Sequence, residues 1–323
     1  MATVFCGFPD EEPAQQQPSA VDSYIGGVPT TFSSSELCCS APLCPTCGEL
    51  MYFVLQLYCP IDSNHRNLYF YTCPNKECQI SGRFFRVFRF TTNGPEEKDE
   101  ETSTLPTNEW NFDYDDIGED KMELDHVSTP IPGETRKSRP LDNLASPFKC
   151  LYITVLEDEV QDSLRTENLH SWVLDYKAED EFIEEDGKIE GVLTLTPLYS
   201  QHMASRDPSS GLEPIRYAFE GRPIFTSAPP SDEWESQLYC PKCQKMRVFE
   251  VQLFPTINNY LHFKKNRRAK VPKSSFNALW PLNFSTLMVF SCQGDCPSTS
   301  EEWVEECVLV QTEEGESVFV GSN

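Results

Sequence analysis

Eight of the fourteen cysteines in this 323-residue chain fall into two sets whose spacing suits a tetrahedral metal ion. The first set is Cys44 and Cys47, followed by Cys73 and Cys78. The second is Cys240 and Cys243, followed by Cys292 and Cys296. Two thiolates three residues apart lie on one tight turn and supply one edge of a tetrahedron; the later pair closes the other edge. Two structural zinc ions are therefore expected, against the alternative of free thiols packed as small apolar groups. Four thiolates leave no open position for a metal-bound water, so neither set reads as catalytic. With no nucleophile–base arrangement and no phosphate loop either, the chain reads as non-enzymatic.

The sequence around the two sets repeats. Cys44-Pro-Thr-Cys47 leads to Phe53 and Gln56-Leu57, as Cys240-Pro-Lys-Cys243 leads to Phe249 and Gln252-Leu253 at the same offsets. Each copy then leads to an expected strand that ends in its second cysteine pair, Leu68–Cys73 with Cys78 and Leu287–Cys292 with Cys296. A metal binding two strand ends together replaces core that a short β unit lacks. Apolar and aromatic runs predict strands over Leu50–Tyr58, Arg83–Phe90, Cys150–Leu156, Gly191–Thr196, Arg247–Phe254 and Val304–Gln311. The expected fold is mainly β with few helices: two related zinc-bound β modules from an internal duplication, joined by an acidic disordered linker. The boundaries are an N-terminal four-cysteine zinc module over 1–90, a linker over 91–147, and a C-terminal module with the second four-cysteine site over 148–323.

His65 lies between the cysteine pairs of the first set and reads as a hydrogen-bonding residue, with ligation the alternative. Cys6, Cys38, Cys39, Cys59, Cys150 and Cys307 lack partner spacing and read as reduced thiols. Residues 205–231, rich in Pro, Ser and Gly, read as an irregular connection, and 158–186 as an acidic helix.

The formal charge is −25, and it is uneven. Residues 96–125 carry a net −11 and residues 157–186 a net −10, outside the cysteine-rich runs. Acidic blocks repel phosphate backbones and attract basic proteins, which disfavours direct nucleic-acid binding. One dense basic cluster, Lys264–Lys273, reads as a solvated loop, with a nuclear import signal or an RNA contact as alternatives. No run of eighteen apolar residues is present, so no membrane span is expected, and the amino terminus has no secretion-signal pattern. A cysteine-rich chain without that pattern is expected in the reducing cytoplasm, as a monomer, with nuclear shuttling left open.

The residues resemble the programmed cell death protein 2 family, and its programmed-cell-death-2-like branch in particular. The resemblance rests on Cys6-Gly-Phe-Pro-Asp-Glu11, Tyr24-Ile-Gly-Gly-Val-Pro29, Cys44–Cys47, His65-Arg66, Cys73–Cys78 and Phe85-Arg86-Val-Phe-Arg89. It continues in Ile215-Arg216-Tyr217, Gly221-Arg-Pro-Ile224, Arg247-Val-Phe-Glu250, Phe284–Cys292 and Glu305-Glu306. The founding branch carries a MYND finger between its halves; residues 79–149 contain no cysteine, which points to the like branch. The resemblance implies a dedicated chaperone that captures a newly made, basic small-subunit ribosomal protein (eukaryotic number two, of the universal S-five family). It would deliver that protein to the assembling small ribosomal subunit. The alternative is a zinc-dependent RNA-binding or nucleocytoplasmic adaptor protein.

Overall fold

Long runs of aromatic and aliphatic residues without interior proline favour a pleated, fully buried backbone, and they build the principal strands. The computed structural model describes residues 3–32, 42–62, 64–93, 146–158, 213–228, 234–264, 280–296 and 303–321. Among the described residues eleven strands occur, in the order β1 (Phe5–Pro9), β2 (Tyr24–Ile25), β3 (Tyr52–Tyr58), β4 (Asn64–Thr72), β5 (Phe85–Asn93) and β6 (Leu151–Glu157). They continue with β7 (Ile215–Tyr217), β8 (Arg247–Leu253), β9 (Thr286–Cys292), β10 (Val304–Gln311) and β11 (Ser317–Val320). A single short α-helix, α1 (Lys76–Ile80), and two 3-10 turns complete the described elements. No described helix is long and apolar enough to cross a membrane.

All the described strands belong to one sheet, ordered β11-β10-β5-β4-β3-β2-β6-β1-β7-β8-β9, and β9 also pairs with β10. That last pairing closes the sheet into a barrel, leaving β11 as an added strip along β10. Two separate β modules are therefore not what the strands form: both cysteine-rich regions lie in one barrel wall. The first strand of each half is exchanged. β1 pairs with β7 of the C-terminal half, while β6 pairs with β2 of the N-terminal half. By sequence the halves therefore meet along four strand pairings: β2–β6, β6–β1, β1–β7 and β5–β10.

The two long hairpins match in register. Phe53 faces Tyr71 and Gln56 faces Tyr69; at the same offsets Phe249 faces Phe290 and Gln252 faces Met288. Each has a β-bulge at the same place, between Phe53 and Leu55 and between Phe249 and Val251. The two glutamines are fully buried and do the same work. Gln56 Oε1 accepts the Thr30 N–H at 3.0 Å, and Gln252 Oε1 accepts the Ile224 N–H at 3.0 Å. A buried amide needs its partners to offset desolvation, so each holds a loop against the barrel.

Sequence reading and structure part in two further places, and some expectations fall outside the described residues. Residues 213–228, within the segment read as irregular, contain β7 and bury Ile224 and Phe225. The expected β5 extends to Asn93, three residues into the expected linker. Gly191–Thr196, the acidic helix and most of the acidic linker lie outside the described residues.

Candidate metal centres

Each cysteine set begins on a turn that strand residues clamp shut. An isolated bridge joins Leu43 to Leu50 around the first turn and Tyr239 to Met246 around the second. Inside them, the Cys44 N–H donates to Glu49 O and the Gly48 N–H to Cys44 O, both at 2.8 Å. The Cys240 N–H donates to Lys245 O and the Gln244 N–H to Cys240 O, again at 2.8 Å. The turn requires a left-handed residue before its exit, supplied by Gly48 (φ 74°) and by Gln244 (φ 59°). A Cβ at Gly48 would meet nothing within 4 Å, so Gly48→Gln tests the backbone alone. It should destabilise the barrel by about 1 kcal/mol, read from urea unfolding, with metal stoichiometry unchanged.

The second pairs arrive differently. Cys73 follows the end of β4, and Cys78 is brought back by α1, which Asn75 caps by accepting the Glu77 N–H at 2.9 Å. Cys292 ends β9, and a tighter turn returns Cys296, with the Asp295 N–H donating to Cys292 O at 3.0 Å. The sulfurs converge in both sets. Cys44 and Cys78 lie 3.8 Å apart and Cys47 and Cys73 3.5 Å; Cys243 and Cys292 lie 3.5 Å apart and Cys292 and Cys296 3.6 Å. All four sulfurs of each set fall within 4.8 Å of one another. A tetrahedron of zinc–sulfur bonds of about 2.3 Å requires about 3.8 Å between sulfurs, so both sets fit that ion.

Their electrostatics suit a cation. Burial opposes the Cys44 thiolate, yet N–H groups of Cys47 and Thr46 aimed at its sulfur hold the thiol below the ordinary range. The Lys245 N–H chiefly pulls Cys243 down to about 7. Burial pushes Cys78 up to about 12, and pushes Cys73 and Cys296 up as well, with neighbouring thiols adding to the rise. Four touching sulfurs cannot ionise together unless a positive ion sits among them.

All eight cysteines predicted as ligands are thus brought together in their predicted fours. His65 is not among them: its Nδ1 lies 2.8 Å from Tyr58 Oη, and its ring stacks on Phe32 at 5.0 Å between centroids. Cys6, Cys59, Cys150 and Cys307 form no disulfide, and Cys38 and Cys39 lie outside the described residues.

A charged cluster inside the barrel has no counterpart among the sequence expectations. Arg66, Arg89 and Arg247 are among the largest fully buried side chains. Arg66 Nη1 and Nη2 donate to both carboxylate oxygens of Glu250, the latter at 2.7 Å, and its Nε donates to Asp295 Oδ1 at 3.1 Å. Arg89 Nε donates to Glu306 Oε1 at 2.6 Å and its Nη1 to Asp295 Oδ1 at 2.6 Å. Arg247 Nε lies 3.3 Å from Glu306 Oε2. Three guanidiniums thereby meet three carboxylates. The β8 bulge falls at Glu250, where the extra residue re-aims its side chain inward. The cluster also touches the second cysteine set, because Arg89 Nη2 donates to Cys296 O at 3.0 Å and Asp295 lies between Cys292 and Cys296. The available signal was charge inside apolar runs, such as Glu250 within Val248–Leu253.

Two family models match the chain, one on each side of its acidic middle. That of the programmed cell death protein 2 N-terminal domain matches residues 3–101, and that of its C-terminal domain matches residues 209–312. The human protein named programmed cell death protein 2-like is 24% identical, over 92% of this chain and 92% of its own length. The mouse protein of that name is 25% identical, over 94% and 93%. Mouse programmed cell death protein 2 is 23% identical, over 94% and 95%. No solved structure matches.

Proposed function

Since this chain belongs to the programmed cell death protein 2 family, we propose that it is a non-catalytic escort for a newly made, basic small-subunit ribosomal protein. That client is eukaryotic protein two of the small subunit, of the universal S-five family. The protein would hold it until it joins the assembling subunit. The observation that carries the reading is charge: −21 of the net −25 sits in two blocks outside the cysteine-rich runs. A ribosomal protein is strongly basic before it meets RNA, and an acidic binder both masks that charge and speeds encounter. On this reading the protein works in the cytoplasm as a monomer.

The barrel suits a binder better than an enzyme. Four protein sulfurs saturate each metal site, so the zinc ions we assign to them hold structure and leave no position for a substrate. We read the matching registers and bulges of the two hairpins as the mark of an internal duplication, and the acidic segment around 94–145 as a tether between its halves. The net charge disfavours the RNA-binding alternative.

The test is a pull-down of the tagged full chain from growing cells, with partners identified by mass spectrometry. One small-subunit ribosomal protein should be recovered in near-equal amount. Affinity of the purified pair should fall severalfold between low and physiological salt, less steeply than for a purely electrostatic complex. Recovery of RNA or metabolic enzymes, with no ribosomal protein enriched, ends the reading.

A further inference from the structure

The barrel wall has a gap. β2 is two residues long, and it is the only described strand between β3 and β6. Past its end, the side chains of Leu57, Ile153, Val155, Ile215 and Tyr217, with Gly7, line a mostly apolar cavity of about 310 Å³. Val155 at its mouth is 53% exposed.

Among the described residues, no strand pairs with the backbone at the gap. The Asp10 N–H donates to Tyr152 O and the Asp158 N–H to Val4 O, which turns the even-numbered residues of β6 toward β1. The Ile153 N–H donates to Ser23 O, so the odd-numbered residues face the other way. Val155 and Glu157 therefore direct their N–H and C=O groups past β2, where no described strand meets them. An open strand edge beside an apolar cavity is the arrangement by which sheets accept an added strand: the edge supplies hydrogen bonds and the cavity takes alternate side chains.

The rim sets the partner's charge. Asp22 adjoins the lining residue Ser23, Asp62 follows the lining residue Pro60 by two positions, and Glu157 stands opposite the lining residue Phe5 in the β1–β6 ladder. Asp62 and Glu157 are exposed. We propose that an extended segment of a basic partner fills this gap as an additional strand, pairing with Val155 and Glu157 and burying an aliphatic side chain in the cavity. This deepens the escort reading and rests on it for the partner's identity.

Val155→Pro is the discriminating variant. It removes the N–H that faces the gap and leaves the β1–β6 hydrogen bonds in place, as proline on an edge strand can. The purified full-length protein is mixed with two probes: the small-subunit ribosomal protein named above, and a blocked peptide of alternating lysine and valine. Hydrogen exchange is followed at the amides of Val155 and Glu157. Both probes should protect those amides, which exchange quickly in the free protein. Val155→Pro should keep its melting temperature and lose at least tenfold in affinity for both. Glu157→Lys should chiefly slow association, by severalfold. If the peptide alone binds and protects the amides, the gap stands and the ribosomal client falls. If the ribosomal protein binds Val155→Pro as tightly as the parent, the client stands and the gap is overturned. Neither probe protecting the amides also overturns it, as does protection already present in the free protein, which would mean that the chain's own residues fill the gap.

Discussion

Replacing Cys73 or Cys292 with serine should abolish cooperative melting of the whole protein, and not of one half alone. Structural zinc in small domains contributes roughly 10–16 kcal/mol of apparent binding free energy, against about 5–15 kcal/mol of net stability for a typical domain. Losing either ion is therefore enough to unfold the barrel. Elemental analysis of the parent should give two zinc ions per chain. A strong chelator should unfold the protein at a rate set by metal release, and added zinc should restore the far-ultraviolet circular dichroism. The closed wall explains why one cysteine matters everywhere: β4, which leads to Cys73, and β9, which ends at Cys292, both belong to the same ring of strands. A serine variant that melts like the parent with both metals bound, or a parent with one metal or none, would overturn the assignment.

The second large effect belongs to the buried charges. Arg66→Met strands Glu250 in the interior without its bidentate partner, and should destabilise the protein by roughly 3–5 kcal/mol. Glu250→Gln should cost somewhat less, because Arg66 keeps Asp295. The double variant Arg66→Met/Glu250→Leu should recover much of the loss, since a well-packed apolar pair avoids the desolvation that the ion pair carries. Acid unfolding gives a second readout. Burial opposes the Glu250 carboxylate, but Arg66 prevails and holds its carboxyl below the usual range. A carboxyl held low in the folded state stabilises above its unfolded value, and that contribution disappears as the pH falls through its folded value. Glu250→Gln should flatten the dependence of stability on pH in that acid window. Equal slopes in the two proteins, or single variants as stable as the parent, would mean that the network carries no energy.

How much of this was legible in the sequence varies by element. The bodies of β3, β4, β8 and β9 were readable because each is a long apolar run tied to a cysteine at a repeated offset. The two clusters of four cysteines were readable for the same reason. The exchange of β1 and β6 was not, since it depends on partners far along the chain: Phe5 pairs with Tyr217, and no local pattern encodes that distance. β1 itself, Phe-Cys-Gly-Phe-Pro, carries the glycine and proline that ordinarily argue against a strand. The proline is tolerated at its last position, and Gly7 is needed where β1 runs close to its neighbours. A Cβ there would come within 3.0 Å of Ile153 Cγ2 and 3.2 Å of Ile215 Cβ. The ionic cluster was hidden differently. Glu250 inside an apolar run signals a buried charge but not its partner, and only closure of the barrel sets Arg66 and Glu250 face to face.

The strand exchange also has a consequence in time. During synthesis β1 leaves the ribosome first, but its two neighbours, β6 and β7, emerge only after Leu151 and Ile215 have been made. At about 5–20 residues per second the first strand waits on the order of ten seconds or more. Throughout that interval the N-terminal half has all four cysteines of its own set, yet it lacks the strand that closes β2, and it displays open edges and apolar surface. The protein is thus a slow-maturing nascent chain, and premature termination anywhere before β7 would release an incomplete sheet prone to aggregate.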